Sequence, residues 1–134
     1  MPSTHPNFQL LAPSNMCKPA GYSHIAKVRA GEIVYIAGQV ALDRNGAIVG
    51  KGDFRAQVEQ VFQNLKTAVE AAGGTFRDVI KLNSYFVDLA HAPVFREVRD
   101  RYIDAQNPPV STAVQVAALV RPEFLVEIEA VAVV

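Results

Sequence analysis

Residues 108–134 have the sequence PPVSTAVQVAALVRPEFLVEIEAVAVV, which contains two runs of strand-forming residues, 111–120 and 124–133. Pro122 lies between them. Because proline lacks an N–H group and has a fixed φ, it favours a turn over one continuous strand. The first run is apolar on both faces, which is typical of a strand whose sheet is covered on both sides. The pattern therefore predicts two strands joined as a C-terminal hairpin.

The second run carries two carboxylates among its apolar residues. Glu127 and Glu129 share a strand face with Leu125, Val131 and Val133, because side chains two residues apart point to the same side. Burying an unpaired carboxylate costs several kcal/mol. These glutamates must therefore be solvated, paired or functional.

Length and composition bound the class of protein. A chain of 134 residues, half of them apolar and 19% charged, predicts a single globular domain over residues 1–134. Thirteen basic and thirteen acidic residues give zero net charge, and no basic run predicts nucleic-acid binding. We expect no membrane partner, because no apolar stretch reaches 18 residues and the N-terminus lacks the pattern of a secretory signal. The single Cys17 favours a reducing, cytoplasmic setting.

The chain further predicts the element order β-β-β-α-β-α-β-β. The first helix is the clearest, because Asp53 can cap its start, two glycines end it at 73–74, and apolar residues recur at helical spacing between them. The other predicted elements are a short strand over Phe8–Leu11, a hairpin of 24–30 with 32–39 that turns at Gly31, a strand over 78–87, and a helix from Pro93 to about Ala105.

This order predicts an α+β fold with two layers, a mixed sheet of five or six strands and both helices on one face. Two helices cover one face of such a sheet, yet the strands are apolar on both. The other face would expose an apolar patch larger than a monomer tolerates. We therefore expect a homo-oligomer.

The segments 109–116 and 126–130, PVSTAVQV and VEIEA, resemble the C-terminal signature of the Rid family (YjgF/YER057c, reactive intermediate deaminases). The resemblance covers nearly the whole chain. It implies a chorismate mutase-like fold that assembles as a trimer with clefts between subunits. It also implies a site without cofactor or metal that hydrolyses enamines or imines, such as 2-aminoacrylate, to a keto acid and ammonia.

The resemblance assigns roles residue by residue. Glu127 matches the glutamate that orients or activates water, and Tyr22 matches a pocket tyrosine. Gly38, within Ala37-Gly38-Gln39, matches a backbone N–H that faces the substrate. Ser111 replaces the arginine that holds the substrate carboxylate in the imine-hydrolysing members, and Thr112 follows it. Arg99 stands where the second helix of the family often carries an asparagine.

Each of these residues also has a purely structural interpretation. These interpretations are a core tyrosine for Tyr22, a bulge or strand end for Gly38, a solvated or paired interface carboxylate for Glu127, a solvated helix face for Arg99, and a neutral strand start for Ser111. Losing the charged bidentate contact of the missing arginine would weaken carboxylate binding on the order of tenfold to a hundredfold.

Two functions follow as hypotheses. The first is a deaminase-type hydrolase of a small enamine or imine with altered substrate specificity. The second is a homotrimer that binds a metabolite without turnover or regulates a partner protein. RNA cleavage is disfavoured, because the chain is neutral and offers no histidine pair. Its three histidines, His5, His24 and His91, are also too far apart in sequence to form a metal-binding motif.

Overall fold

The computed structural model describes residues 5–134, which follow the predicted order β-β-β-α-β-α-β-β. The four residues before them, part of the expected N-terminal loop, lie outside the described residues. The strands are β1 (Phe8–Leu11), β2 (Ile25–Val28), β3 (Ile33–Gln39), β4 (Val79–Phe86), β5 (Val110–Gln115) and β6 (Val126–Val133). The helices are α1 (Phe54–Ala71) and α2 (Ala92–Arg99), and single 3₁₀ turns cover Phe76–Asp78 and Leu89–His91.

The strands form two sheets. A four-stranded mixed sheet has the order β3-β6-β4-β5, in which β4 and β5 run parallel and the other neighbours run antiparallel. The strands β1 and β2 form a separate antiparallel pair. The α+β class with two helices against a mixed sheet is confirmed. The larger sheet has four strands, however, because the N-terminal pair is not continuous with it.

The main core lies between the helices and the larger sheet. The apolar stripe predicted for α1 is buried there against inward-facing residues of β4 and β6, the central strands of that sheet. The carboxylate of Asp53 accepts a hydrogen bond from the N–H of Ala56, so the predicted N-cap is confirmed. Beyond the other end of the helix, Gly73 has φ +92°, a conformation that glycine adopts without strain.

One fully buried residue of α1 is polar. The Nε2 group of Gln57 donates to the carbonyl oxygens of Gly50 at 3.1 Å and Glu123 at 2.8 Å. Its Oε1 accepts from the N–H of Leu125 at 2.9 Å. Gln57 therefore ties together the loop that precedes α1 and the loop that leads into β6.

The predicted C-terminal hairpin is wrong. The first run ends as a strand at Gln115 and pairs in parallel with β4, whereas the second run pairs antiparallel with β3 and β4. Helix α2 connects β4 to β5, and a crossover of this kind returns the chain in the same direction along the sheet. Strand β6 then enters on the other side of β4, so that β4 separates the two runs.

The predicted hairpin between β2 and β3 is also wrong, although both strands form. Gly31 does adopt φ +91°, but the chain passes there from one sheet to the other. Before this point, the N–H groups of Arg29 and Ala30 donate to the carbonyl oxygen of Asn7. After it, Glu32 and Val134 exchange a pair of backbone hydrogen bonds at 2.8 and 3.0 Å. Each strand therefore satisfies its backbone with a different partner.

The second helix ends at Arg99, earlier than the predicted Ala105. After Arg99 the chain turns, and Tyr102 stacks on the ring of Phe62 with centroids 5.2 Å apart. Ile103 is buried in the same core. Packing of these two side chains against α1 thus outweighs continuation of the helix.

The larger sheet has one face that the helices do not cover, which we call the open face. Alternate residues of its strands lie there, including Tyr35 of β3, the series Lys81, Asn83 and Tyr85 of β4, Thr112 and Val114 of β5, and Glu127 and Glu129 of β6. The pair β1–β2 covers one end, where Phe8 packs on Ile80 and Val133. Elsewhere Ile33 and Tyr35 are 56% and 80% exposed.

Candidate functional site

Backbone contacts hold Tyr22 beside the start of β5. The hydroxyl of Ser23 donates to the carbonyl oxygen of Pro108 at 2.6 Å, and its N–H donates to that of Pro109 at 3.1 Å. Ser23 and Val110 also form an isolated parallel bridge. The proline pair that precedes β5 therefore also fixes the segment that carries Tyr22.

Tyr22, Ser111 and Thr112 line one groove with a volume of about 700 Å³. We call it the Tyr22 groove, and residues 22–26, 33, 35, 80, 81, 110–112 and 131 line it. It lies between the N-terminal strand pair and the open face. The structure thus brings together three of the six residues that the sequence singled out.

Within this groove, the ring of Tyr22 meets His24 edge to face, with centroids 5.4 Å apart. The Nε2–H of His24 donates to the carbonyl oxygen of Cys17 at 2.7 Å, because a carbonyl can only accept. The thiol of Cys17 is exposed. These contacts fix the orientation of His24 beside Tyr22.

Arg99 lies buried beneath the segment that carries Tyr22. It is 6% exposed, and its Nε and Nη2 groups contact Oδ1 of Asp100, each at 3.0 Å. A Cβ atom added to Gly21, which has φ +79°, would lie 2.6 Å from Nη2. The interpretation of Arg99 as part of a solvated helix face is therefore wrong. Arg99 is not among the lining residues of the Tyr22 groove. Its role in substrate binding stays a prediction.

Gly38 and Glu127 form a second group. The register between β3 and β6 shifts between Ile36 and Gln39, and Gly38 lies in this irregularity. A Cβ atom on Gly38 would lie 2.6 Å from Oε1 of Glu127 and 2.9 Å from its Cδ. The glutamate side chain therefore lies directly over the backbone of Gly38, an approach that only glycine permits. The bulge interpretation of Gly38 agrees with this register shift, and substrate binding by its N–H group stays a prediction.

Next to this group lies a polar cluster that the sequence pattern did not indicate. Oε1 of Glu129 accepts hydrogen bonds from the hydroxyl of Tyr85 at 2.9 Å and from Nδ2 of Asn83 at 3.1 Å. The hydrogen bond to Glu129 is the main cause that raises the pKa of Tyr85, and the charge of Glu127 adds to the effect. The alternation of residues along β4 predicts this face, but the register that sets Asn83 opposite Glu129 was not readable from the sequence.

We expect the phenol of Tyr85 to ionise at a higher pH than an ordinary tyrosine, since ionisation would break its hydrogen bond and create a charge beside two carboxylates. The difference between ultraviolet pH titrations of the native protein and Tyr85→Phe isolates this group among the four tyrosines. Glu129→Gln should lower the midpoint. A difference titration with an ordinary or lowered midpoint would contradict the expectation.

The sign of the linked effect on stability follows from the direction of this shift. A pKa raised in the folded state means that the folded protein binds the proton more tightly than the unfolded chain does. The contribution of the Tyr85 hydrogen bond is therefore fully present below about pH 10 and is lost as the pH rises through the raised pKa.

The two groups do not share a cavity within one chain. Neither Gly38 nor Glu127 lines the Tyr22 groove. A second depression of about 490 Å³, the Glu129 depression, is lined by residues 35–37, 81, 83 and 129–131. Tyr35, Lys81 and Val131 border both cavities. Five of the six predicted site residues thus lie at two separate places along the open face and its edge, and Arg99 is buried apart from both.

Residues 5–134 contain no group of three or more His, Cys, Asp or Glu side chains placed to hold a metal ion. Nor do they contain a helix with the length and apolar character needed to span a membrane.

Sequence comparisons connect the chain to known proteins. A family model described as Endoribonuclease L-PSP matches residues 14–134. A RutC family protein of Pyrococcus horikoshii is 36% identical over 125 residues, which are 92% of this chain and 96% of that protein. The 3-aminoacrylate deaminase RutC of Acinetobacter baylyi is 34% identical over 109 residues, which are 81% of this chain and 85% of that enzyme.

Solved structures agree with these matches. The Yersinia pestis protein YyfB, described as a protein of unknown function from the conserved Rid family, superposes with a TM-score of 0.86 at 36% identity. The match covers 96% of this chain and 99% of that one. Escherichia coli TdcF, crystallised with bound serine, gives a TM-score of 0.69 at 31% identity, covering 80% of this chain and 84% of that one.

Proposed function

Because the chain belongs to the Rid family, we propose that it hydrolyses a small enamine or imine in a deaminase-type reaction, with a substrate preference altered by Ser111. The relative named 3-aminoacrylate deaminase supports this reaction class. TdcF, which holds serine, supports a site for a molecule of that size. The observation that carries the proposal is the close approach of Glu127 to Gly38, because it holds a carboxylate against a partly buried stretch of backbone near a polar cluster.

In the proposed reaction, an enamine first becomes an imine, as its carbon takes a proton from water and its nitrogen gives one back to water. Water then adds to the imine carbon, the C–N bond breaks, and ammonia leaves as the carbonyl product forms. Glu127 would accept the proton of the attacking water and return it to the leaving nitrogen, a role suited to a carboxylate within hydrogen-bonding reach. Tyr22 and the backbone N–H of Gly38 would orient the substrate.

The proposal includes a homotrimer whose clefts lie between subunits. The open face exposes Ile33, Tyr35 and Val114, and a second copy packed there would remove this apolar surface from water. The same contact would bring the Gly38–Glu127 pair of one copy to the Tyr22 groove of another. Separation of the two groups in one chain supports a site completed by two copies.

We also propose a cytoplasmic location, on the basis of the single cysteine. Cleavage of RNA, which the description of the family model names, is not our proposal. The formal net charge is zero, and polyanion binding depends on clustered basic residues.

An alternative function rests on Ser111. The hydroxyl of Ser111 does not replace the charge of the arginine found at this position in the imine-hydrolysing members. In this alternative, the clefts bind a metabolite without turnover or serve a partner protein. The two functions differ in turnover but not in binding. A direct assay of product release therefore separates them.

The deciding experiment times the release of ammonia and of the carbonyl product from 2-aminoacrylate and from 3-aminoacrylate, each generated in situ. The native protein and a Ser111→Arg variant are compared with the uncatalysed reaction. We expect the native protein to accelerate at least one substrate, which means that another cation receives the carboxylate. If neither protein accelerates either substrate, the binding function replaces the enzymatic one.

A further inference from the structure

Among residues 5–134, the lining of the Tyr22 groove includes a single lysine, Lys81, and no carboxylate. The other lining residues are apolar, hydroxyl-bearing or His24. Six of the thirteen are apolar: Ile25, Ala26, Ile33, Ile80, Val110 and Val131. A groove with this lining favours an anion over a cation or a neutral molecule.

The sheet register fixes where Lys81 stands. It lies on β4 between Val110 of β5 and Val131 of β6, so apolar residues flank it on both sides. Thr112 is two residues beyond Val110 and pairs with Asn83, on the same face. In this parallel pair the diagonal neighbours lie roughly 8 Å apart, given a strand spacing of about 4.8 Å and a rise of about 3.3 Å per residue, and a lysine side chain together with a small ligand bridges that distance. Lys81 and the hydroxyl of Thr112 can therefore reach the same small ligand.

The positive charge of Lys81 is not neutralised within the described chain. Its ammonium group forms no ion pair with any carboxylate between residues 5 and 134, and the residue is exposed. Glu129, which borders the neighbouring depression together with Lys81, instead accepts hydrogen bonds from Asn83 and Tyr85. The polar cluster thus holds this carboxylate and leaves Lys81 available to a ligand.

We propose that Lys81 binds the carboxylate of the substrate. This inference rests on the proposed function and names the residue that takes over the charge missing at position 111. Ser111 pairs with the inward-facing Leu82, so its side chain alternates with those of Val110 and Thr112. The positive charge in the groove consequently belongs to a side chain of β4. A ligand bound to it lies toward the middle of the sheet instead of at its β5 edge.

The test measures kcat and KM for an enamine carboxylate with the native protein, Lys81→Ala, Lys81→Arg and Lys66→Ala. Lys66 is the matched control, because it pairs with Glu70 on α1, away from the groove. We expect Lys81→Ala to raise KM on the order of tenfold to a hundredfold, with a smaller change in kcat. Lys81→Arg should restore most of the affinity, and Lys66→Ala should behave as the native protein does.

A second measurement separates this inference from the proposed reaction. Binding of propionate, an unreactive carboxylate, is followed by nuclear magnetic resonance in the same four proteins, with propionamide as its uncharged counterpart. If propionate binding disappears in Lys81→Ala while no protein shows turnover, the enzymatic function fails and the role of Lys81 stands. If KM and propionate binding are unchanged in Lys81→Ala, or if the native protein binds propionate no better than propionamide, the role of Lys81 is overturned.

Discussion

Replacing Glu127 by glutamine is expected to lower kcat for enamine hydrolysis by about a hundredfold or more, because a positioned general base contributes roughly 10²–10⁴-fold to a rate. The substitution keeps the shape of the side chain over Gly38 and removes its ability to accept a proton. KM should change little, since the carboxylate of the substrate is held elsewhere. The comparison requires steady-state kinetics on the substrate that the native protein accepts.

Glu129→Gln is the matched control for this prediction. Glu129 lies two residues further along β6 on the same face, but its oxygen already accepts hydrogen bonds from Asn83 and Tyr85. We expect its loss to reduce kcat by less than tenfold. Equal losses of kcat in both variants would mean that the negative charge of the open face matters, and not a general base at Glu127. Turnover retained in Glu127→Gln would exclude Glu127 from the mechanism.

Gly38→Ala offers an independent route to the same conclusion. The added Cβ would lie 2.6 Å from Oε1 of Glu127, so the carboxylate must move. Since the glutamate itself is kept, a loss of kcat in Gly38→Ala would show that its placement matters in addition to its charge. A fold check by circular dichroism excludes general unfolding as the cause.

The second large effect concerns stability. Gln57→Met is expected to lower the free energy of unfolding by roughly 2–5 kcal/mol, because it keeps the volume of a fully buried side chain but leaves three backbone groups without their partner. Each unpaired group of this kind costs about 1–3 kcal/mol when it stays buried. Urea denaturation followed by circular dichroism measures the difference.

Gln60→Met on the same helix controls for the change in composition. The Nε2 group of Gln60 bonds only the side chain of Asn64, so its replacement should cost less than about 1 kcal/mol. A similar loss in both variants would refute the special role of Gln57.

Because Leu125 precedes β6 by one residue, Gln57→Met should also lower kcat through the position of Glu127.

The local elements were predictable from the sequence to different degrees. Helix α1 follows from its apolar spacing and from Asp53, which acts within one turn of the helix. The pairing of strands was not predictable, because period-2 patterns define faces but not neighbours. The two C-terminal runs adjoin in sequence, yet β4 lies between them, since the crossover through α2 directs β5 to its other side.

The candidate site also contains both residues that the sequence indicated and residues that it did not. Resemblance singled out Tyr22, Ser111 and Thr112, which line one groove, and Gly38 with Glu127, which touch each other. It did not indicate Tyr85, Asn83 or Lys81, whose neighbours depend on the register of β4 against β5 and β6. The burial of Arg99 was equally hidden, because it depends on contact with Gly21, far from it in the chain.

The separation of the Tyr22 groove from the Gly38–Glu127 pair has a genetic consequence. If each complete site draws one group from each of two copies, two impaired variants damaged in different groups can complement each other. Unfolding and refolding Glu127→Gln together with Lys81→Ala in equal amounts would give about one quarter of the sites both intact groups. At a substrate concentration well below the raised KM of Lys81→Ala, such a mixture would be more active than either parent, and a diploid or merodiploid cell carrying both alleles would show the same rescue.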